Sequence, residues 1–185
     1  MPAMRSIILC ACLLLAGCVA MQAQPAPALV GEAFYLSGRV AVKYEGGAQS
    51  GGLTWQHGLA GDELLLSNPL GQGIARIARS GASVTLTTSD EKIYRANDVE
   101  TLTEQVLGWR FPFAGLADWV RGRAAAGAPA QTRLDSSQRL AELSQSGWQV
   151  EYLEYNGESG PPARLRLSRA SVEIRLVIDE WRSAP

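Results

Sequence analysis

Apolar and polar residues alternate along most of this chain with the period of two that is typical of β-strands. Between Leu36 and Tyr44 every second residue is apolar or glycine, and Ser37, Arg39 and Lys43 stand among the others. A Gly-rich hairpin connection is expected over 45–52. No helix separates most consecutive strands, which favours an antiparallel sheet. The same pattern predicts strands in further segments: 53–57, 63–67, 73–78, 83–88, 139–143, 147–155, 164–168 and 172–178.

One segment in the middle of the chain changes to the period of a helix. Asn97 is the predicted N-cap, and the apolar residues after it have helical spacing up to Gly108. A second short helix is expected around Leu116 and is ended by Gly122, with an aromatic turn around Pro112 before it. The predicted fold is therefore mainly β with a helical insert. It is an unclosed antiparallel barrel or half-barrel covered by a short-helix lid.

The N-terminal residues predict a lipoprotein signal peptide followed by a tether. The run Ile7–Ala16 is apolar throughout and too short to span a membrane. The sequence Leu15-Ala16-Gly17-Cys18 resembles a bacterial lipobox, in which cleavage leaves the cysteine as a lipidated first residue, and Val19 after it implies sorting to the outer membrane. An ordinary signal peptide with an incidental cysteine is the alternative. The expected boundaries are 1–17 for the signal peptide, 18–30 for the lipidated tether and 31–185 for a single domain.

Composition and charge exclude several classes of function. Lys and Arg number 17 against 18 Asp and Glu, so no strongly basic surface points to nucleic acid. All three cysteines lie at or before Cys18, so the mature chain has no thiol besides its predicted anchor. It therefore has no internal disulfide, no cysteine metal site and no cysteine nucleophile.

Motifs for catalysis and for cofactors are absent from the sequence. His57 is the only histidine, and neither a G-x-S-x-G elbow nor an H-x-x-x-H pair accompanies it. Gly71-Gln72-Gly73 lacks the third glycine of a dinucleotide fingerprint, because Arg76 stands at that position. We therefore expect that the protein is not an enzyme and that it binds no cofactor and no metal ion. A hydrolase of envelope lipid or glycan that uses His57 is an alternative.

Leu70 stands at the tip of a turn that its neighbours predict. Ser67, Asn68, Pro69 and Gly71 are all turn formers, and apolar strand segments lie on both sides. Two explanations are open for an apolar residue at such a tip. It folds back onto the core, or it is held out to be buried in something else.

Two further groups of side chains also have two interpretations each. The five tryptophans fill a small core, or they line a hollow that apolar ligands enter. Four arginines form a basic stripe for protein docking, or they belong to an ordinary solvated sheet face. The tryptophans are Trp55, Trp109, Trp119, Trp148 and Trp181, and the arginines are Arg164, Arg166, Arg169 and Arg175.

A series of short motifs runs in order over nearly the whole mature chain. They are the lipobox at Cys18, Gly38-Arg39, Trp55-Gln56, Leu64-Leu65-Leu66-Ser67-Asn68-Pro69-Leu70-Gly71, Tyr94-Arg95-Ala96, Leu107-Gly108 with Pro112, Trp119 with Gly122, Gly147-Trp148, and Trp181. In this order they resemble the LolB family of outer-membrane lipoproteins. The resemblance implies an unclosed antiparallel barrel with a helical lid, anchored in the outer membrane of a Gram-negative bacterium and facing the periplasm. It also implies that Leu70 protrudes and helps to deliver cargo to the bilayer.

The expected function is that of a lipoprotein insertion receptor. It accepts lipidated proteins from a periplasmic LolA-like carrier, shelters their acyl chains in an apolar cavity and inserts them into the inner leaflet of the outer membrane without ATP. We expect it to be a monomer. An outer-membrane scaffold with a filled core, which docks through its arginine face, is the alternative. The residues predicted to line the cavity are Val40, Val42, Trp55, Leu65, Ile74, Leu102, Val106, Trp109, Leu116, Trp119, Trp148, Val150, Ile174 and Leu176.

Overall fold

The computed structural model of the chain describes residues 33–58 and 60–183. The predicted signal peptide, the tether and Cys18 lie outside these ranges, and the division of the chain into them stays a prediction. The described strands are β1 (Phe34–Tyr44), β2 (Gly47–His57), β3 (Gly61–Ser67), β4 (Gly73–Ser80), β5 (Ser83–Thr88), β6 (Ile93–Ala96), β7 (Ala130–Leu134), β8 (Leu140–Gln145), β9 (Trp148–Tyr155), β10 (Pro162–Arg169) and β11 (Val172–Ser183). Two helices, α1 (Val99–Leu107) and α2 (Phe113–Trp119), lie between β6 and β7.

These strands form one antiparallel sheet that does not close. Their order is β6-β5-β4-β3-β2-β1-β11-β10-β9-β8-β7. The first and last strands, β1 and β11, are paired at the centre, and β6 and β7 are the two edges. The predicted fold class, an unclosed antiparallel sheet with a helical insert, is confirmed.

One face of the curled sheet is apolar and encloses the core. In β1, Leu36, Val40 and Val42 are buried, whereas Arg39 and Lys43 on the opposite face are exposed. The other strands repeat this alternation, because successive side chains of a strand point to opposite faces. The two helices pack their own apolar residues into the same core. The enclosed face is called the inner face below.

The two ends of the sheet differ in what they carry. Neighbouring strands run in opposite directions, so the connections after β1, β3, β5, β8 and β10 leave at the same end. The turn between β3 and β4 contains Leu70, and this end is called the Leu70 end. The connections after β2, β4, β7 and β9 lie at the opposite end.

Several predicted boundaries are wrong in detail. The N-cap of α1 is Asp98 and not Asn97, because the Asp98 carboxylate accepts the amide of Thr101 at 2.8 Å. The Gly-rich hairpin connection shrinks to residues 45–46, and the rest of that segment continues β2 in full pairing with β1. Helix α2 begins at Phe113, three residues before Leu116.

The edge strands β6 and β7 were not predicted. β6 has only four residues, and all five residues of β7 are exposed. Such short edge strands bury little apolar surface, so they carry no alternation that a sequence pattern could reveal. Among the described residues, no helix combines the length and the hydropathy that crossing a bilayer requires.

Candidate functional site

The turn between β3 and β4 projects the Leu70 side chain into solvent. The Asn68 side chain organises it, since its Oδ1 accepts the amides of Leu70 at 2.9 Å and Gln72 at 3.0 Å. The backbone closes the turn as well: Gly71 donates to the Asn68 carbonyl at 2.9 Å, and Asn68 donates to the Gln72 carbonyl at 2.8 Å. Gly71 has φ 83°, which glycine adopts without strain. Leu70 is 86 % exposed, so the interpretation in which it folds back onto the core is wrong.

A narrow apolar cleft opens on the inner face beside this turn. Its volume is about 30 Å³, which is room for only a few water molecules. Leu66 and Ile74 border the cleft on the side of the Leu70 turn, and Leu107 and Trp109 border it on the helical side. The cleft therefore lies between the turn and the C-terminal end of α1.

A larger groove lies on the outer face of the sheet, on the other side of strands β1 and β2 from the cleft. It measures about 580 Å³, and Arg39, Val177, Pro69 and Gly71 are among its lining residues. Gly51 also borders this groove, and a Cβ there would lie 1.7 Å from the Ser67 carbonyl oxygen, so only glycine permits this close approach of β2 to β3. The charge on its rim is balanced, since Arg39 makes a two-pronged ion pair with Asp179 at 2.8 and 3.0 Å.

Most of the predicted cavity residues lie in the core, together with large buried aromatic side chains. Trp55, Trp119 and Trp148 are fully buried and Phe111 packs with them. Val106 is partly buried at the edge of this cluster. The other predicted lining residues in the core are Val40, Val42, Leu102, Trp109, Leu116, Val150, Ile174 and Leu176.

Two of the predicted lining residues are not brought into this core. Leu65 is 43 % exposed, because it alternates with the buried Leu64 and Leu66 and so faces outward. Ile74 is 38 % exposed and lies at an irregularity in the pairing of β3 with β4, at the mouth of the cleft. Whether the remaining residues line an acyl-chain cavity stays a prediction.

Asp62 is the centre of a buried polar cluster that joins the sheet to α2. Its carboxylate accepts Trp55 Nε1 at 2.9 Å and Arg79 Nε at 2.7 Å, and His57 Nδ1 lies 2.5 Å away. The Arg79 guanidinium also lies over the ring of Phe113 in α2. Burial raises the pKa of Asp62, but the hydrogen bonds from His57, Trp55 and Arg79 outweigh it and leave the pKa below its ordinary value. His57 thus has a structural partner here.

Gln145 holds the loop that follows the helices in place. The sequence pattern did not predict this role of Gln145. Its Oε1 accepts Trp119 Nε1 at 2.9 Å and the amide of Ala125 at 2.8 Å. Its Nε2 donates to the carbonyls of Ala125 at 2.8 Å and Ala128 at 2.9 Å. A polar residue at an inward-facing position of β8, in alternation with Leu143, is the signal that indicates such a role.

Replacing Gln145 with alanine is expected to loosen this loop and destabilise the fold. The change leaves the Trp119 indole and the backbone groups of the loop without partners, which costs roughly 1–3 kcal/mol of unfolding free energy. Urea unfolding followed by tryptophan fluorescence measures the loss. Gln149→Ala is the control, since Gln149 is exposed and its side chain accepts a hydrogen bond from the half-buried Ser144. Equal stability of the Gln145 variant and the wild type would contradict the assignment.

Helix α1 is tied to β10 by one ion pair near the Leu70 end. Glu100 lies 3.8 Å from Arg169, whose guanidinium lies 6.0 Å from the ring of Trp148. Burial and the neighbouring Asp98 raise the pKa of Glu100, and Arg169 opposes this shift. This pair is therefore a side-chain link between the helical insert and the far half of the sheet.

The predicted arginine stripe is neutralised by glutamates. Its members pair with a carboxylate each: Arg164 with Glu154, Arg166 with Glu151, Arg169 with Glu100 and Arg175 with Glu173. This pairing favours an ordinary solvated face over a basic docking surface. In the part of the chain that the structure describes, no three His, Cys, Asp or Glu side chains gather to hold a metal ion.

The chain resembles the crystal structure of a DUF1329 family protein from Desulfovibrio piger with a TM-score of 0.56 and 6 % sequence identity, over 83 % of this chain and 86 % of the other. At that identity the likeness defines the class of fold alone, an antiparallel sheet curled around an apolar core with helices on its inner face.

The sequence comparisons identify the family within that class. The family model described as "Outer membrane lipoprotein LolB" matches residues 32–181. The outer-membrane lipoprotein LolB of Thiobacillus denitrificans is 42 % identical over 92 % of this chain and 93 % of its own length. That of Nitrosomonas europaea is 43 % identical over 83 % of this chain and 74 % of its own length. The chain belongs to the LolB family of outer-membrane lipoproteins, which confirms the predicted resemblance and the outer-membrane location.

Proposed function

We propose that this protein receives lipidated proteins from a LolA-like periplasmic carrier and passes their acyl chains into the inner leaflet of the outer membrane. The observation that carries the proposal is Leu70, 86 % exposed on a hydrogen-bonded turn beside an apolar cleft. Its membership of the LolB family supports a role in lipoprotein localisation. Acylated Cys18, outside the described residues, is the proposed anchor.

The energetics of acyl chains explain why such a receptor is needed. A buried CH₂ group contributes about 0.8 kcal/mol, so exposing one chain of roughly 16 carbons to water costs on the order of 10 kcal/mol. Cargo with such chains needs a dry site at each step between the carrier and the bilayer. Without ATP, transfer requires that the receptor bind the chains more tightly than the carrier does and less tightly than the bilayer does.

Uptake of an acyl chain requires that the helical insert move. Trp55, Trp119, Trp148 and Phe111 are among the largest fully buried side chains of the core, and the apolar cleft beside the Leu70 turn measures only about 30 Å³. Helix α1 and the segment that contains Trp109 form one side of this cleft. We therefore propose that displacement of this segment, and not a preformed cavity, admits the chain.

The burial of these aromatic side chains also favours one alternative, a scaffold lipoprotein that binds no lipid. The two functions differ in a simple measurement, the binding of a fluorescent fatty acid to the full chain. Binding to a receptor at micromolar protein concentration quenches the emission of the fatty acid or shifts its wavelength. A scaffold leaves the emission spectrum unchanged.

Replacing Leu70 with glutamate tests the proposed delivery step. Burying a leucine contributes about 1.5–3 kcal/mol, so we expect a loss of about tenfold or more in the rate of lipoprotein transfer to vesicles. The fluorescent fatty acid should still bind, because Leu70 makes no part of the core. Leu134→Glu is the matched control, since Leu134 is 47 % exposed at the opposite end of the sheet. Transfer at the wild-type rate by Leu70→Glu would refute the role of Leu70.

A further inference from the structure

We infer that the bilayer contacts a four-residue apolar corner of the sheet and not Leu70 alone. The corner patch consists of Leu65, Leu70, Ile74 and Ile93, which are 43 %, 86 %, 38 % and 53 % exposed. All four lie toward the Leu70 end on the strands β3, β4 and β6 or their connection. The inference rests on the proposed function for its occupant, and it adds where and how the protein meets the lipid.

The strand register places these side chains together on one corner. Leu65 pairs with Arg76, Arg76 with Thr87 and Thr87 with Ile93. These paired residues form one row across β3 to β6, and the two patch residues Leu65 and Ile93 lie at its two ends. Leu65 and Ile93 are three strand spacings apart, about 14 Å.

The turn after β5 is joined to the start of β4, which follows the Leu70 turn. The amide of Ser89, which follows β5, donates to the carbonyl of Ile74 at 3.0 Å. Leu70 projects from the neighbouring turn between β3 and β4. This hydrogen bond and the strand pairing join the backbone on both sides of the corner.

The charges around the corner patch fit the polar layer of a membrane. Arg76 lies between Leu65 and Ile93 in the row and is paired with Glu63 at 2.9 Å. Arg95 lies one row further from the Leu70 end, on the same face as Ile93. Long arginine side chains keep their guanidinium groups among phosphates while their stems cover apolar surface.

The acidic residues near the patch do not oppose this arrangement. Asp90, in the turn between β5 and β6, is paired with Lys92 at 2.8 Å. Glu91 lies between them and is the remaining acid of this turn. The corner patch is thus apolar, and the side chains around it carry both positive and negative charges.

Ile74 connects the corner patch to the cleft. It is one of the four exposed residues of the patch and also borders the apolar cleft beside Leu107 and Trp109. When the patch lies in the leaflet, the mouth of the cleft opens at the lipid surface. An acyl chain that leaves by this mouth then passes Ile74 and enters lipid without crossing water.

Single cysteines with an environment-sensitive fluorophore test the inference on the full acylated chain. The mature chain has no thiol besides Cys18, so Leu65→Cys, Leu70→Cys and Ile93→Cys can be labelled with a nitrobenzoxadiazole dye one at a time. Leu134→Cys and Leu153→Cys are matched controls, with 47 % and 46 % exposure at the opposite end. The protein is reconstituted in vesicles of phosphatidylethanolamine and phosphatidylglycerol, and spin-labelled lipid serves as the quencher.

We expect blue-shifted, lipid-quenched emission at residues 65, 70 and 93 and water-like emission at residues 134 and 153. Lipid contact at residue 70 only would overturn the inference and leave the proposed role of Leu70 intact. No contact at any position would overturn both. A shift at residues 65 and 93 that appears only when the carrier is added would assign the patch to a protein partner and overturn the inference.

A functional variant completes the test. Ile93→Asp should slow lipoprotein transfer to the same vesicles about tenfold, because it removes one aliphatic side chain from the proposed contact with the bilayer. Leu153→Asp should transfer at the wild-type rate. Circular dichroism of both variants verifies that the sheet is intact, and unchanged transfer by a folded Ile93→Asp would overturn the inference.

Discussion

Covalent bridging of residues 100 and 169 is expected to abolish uptake of acyl chains. Glu100→Cys in α1 and Arg169→Cys in β10 replace an ion pair of 3.8 Å, and a short bismaleimide fastens the helix to the sheet at that point. Trp55, Trp119, Trp148 and Phe111 are buried in the core, and the proposed function requires that the helical insert move to admit a chain. Binding of a fluorescent fatty acid and transfer of a lipoprotein are the two measurements.

A second bridge of the same chemistry provides the control. Arg133 in β7 and Glu142 in β8 are also ion-paired and are direct neighbours across two strands, so joining them leaves the helices free. This bridged protein and the unbridged Glu100→Cys/Arg169→Cys variant should both take up the probe. Uptake by the protein bridged between residues 100 and 169 would show that the insert need not move at that point.

Loss of the Asp62 carboxylate should produce a large loss of stability. Asp62→Ala leaves Arg79, the Trp55 indole and His57 without their shared acceptor in a buried position. Breaking a buried ion pair costs about 3–5 kcal/mol, a large part of the stability of a domain this size. Urea unfolding measures the loss. Asp179→Ala is the matched control, because the pair of Asp179 with Arg39 is exposed and contributes at most about 1 kcal/mol.

The same cluster makes stability depend on acid pH. The pKa of Asp62 is lower in the folded protein than in the unfolded chain, so the folded state favours the charged carboxylate. Its contribution is therefore fully present above the unfolded pKa of about 3.9 and is lost as the pH falls through the folded pKa. The unfolding free energy of the wild type should fall below about pH 4, and that of Asp62→Ala should fall less. Parallel pH profiles of the two proteins would contradict the role given to Asp62.

The sequence predicted the elements that bury apolar surface. The segments 36–44 and 172–178 alternate clearly because each buries one face, and they became β1 and β11. The edge strands β6 and β7 were missed, since an edge buries little and has no pattern to read. The Gly-rich segment 45–52 was assigned to a loop by composition, whereas pairing with β1 makes most of it a strand.

The candidate site was less predictable than the fold, because it depends on contacts that no local pattern encodes. The sequence pointed to Leu70 but left open whether it folds back, and Asn68 settles this through hydrogen bonds to the turn. Leu65 was placed in the core, although its parity between Leu64 and Leu66 directs it outward. Gln145 had no motif at all; its role follows from a loop that joins β8 only in the folded chain.

The pairing of β1 with β11 at the centre of the sheet has a consequence for the order of folding. Until β11 is added, the six strands from β1 to β6 and the four from β7 to β10 are separate ribbons, each with an unpaired edge. Neither ribbon alone encloses an apolar interior. Because β11 pairs with both β1 and β10, it joins the two ribbons, and the sheet curls around one common apolar core only after both pairings have formed.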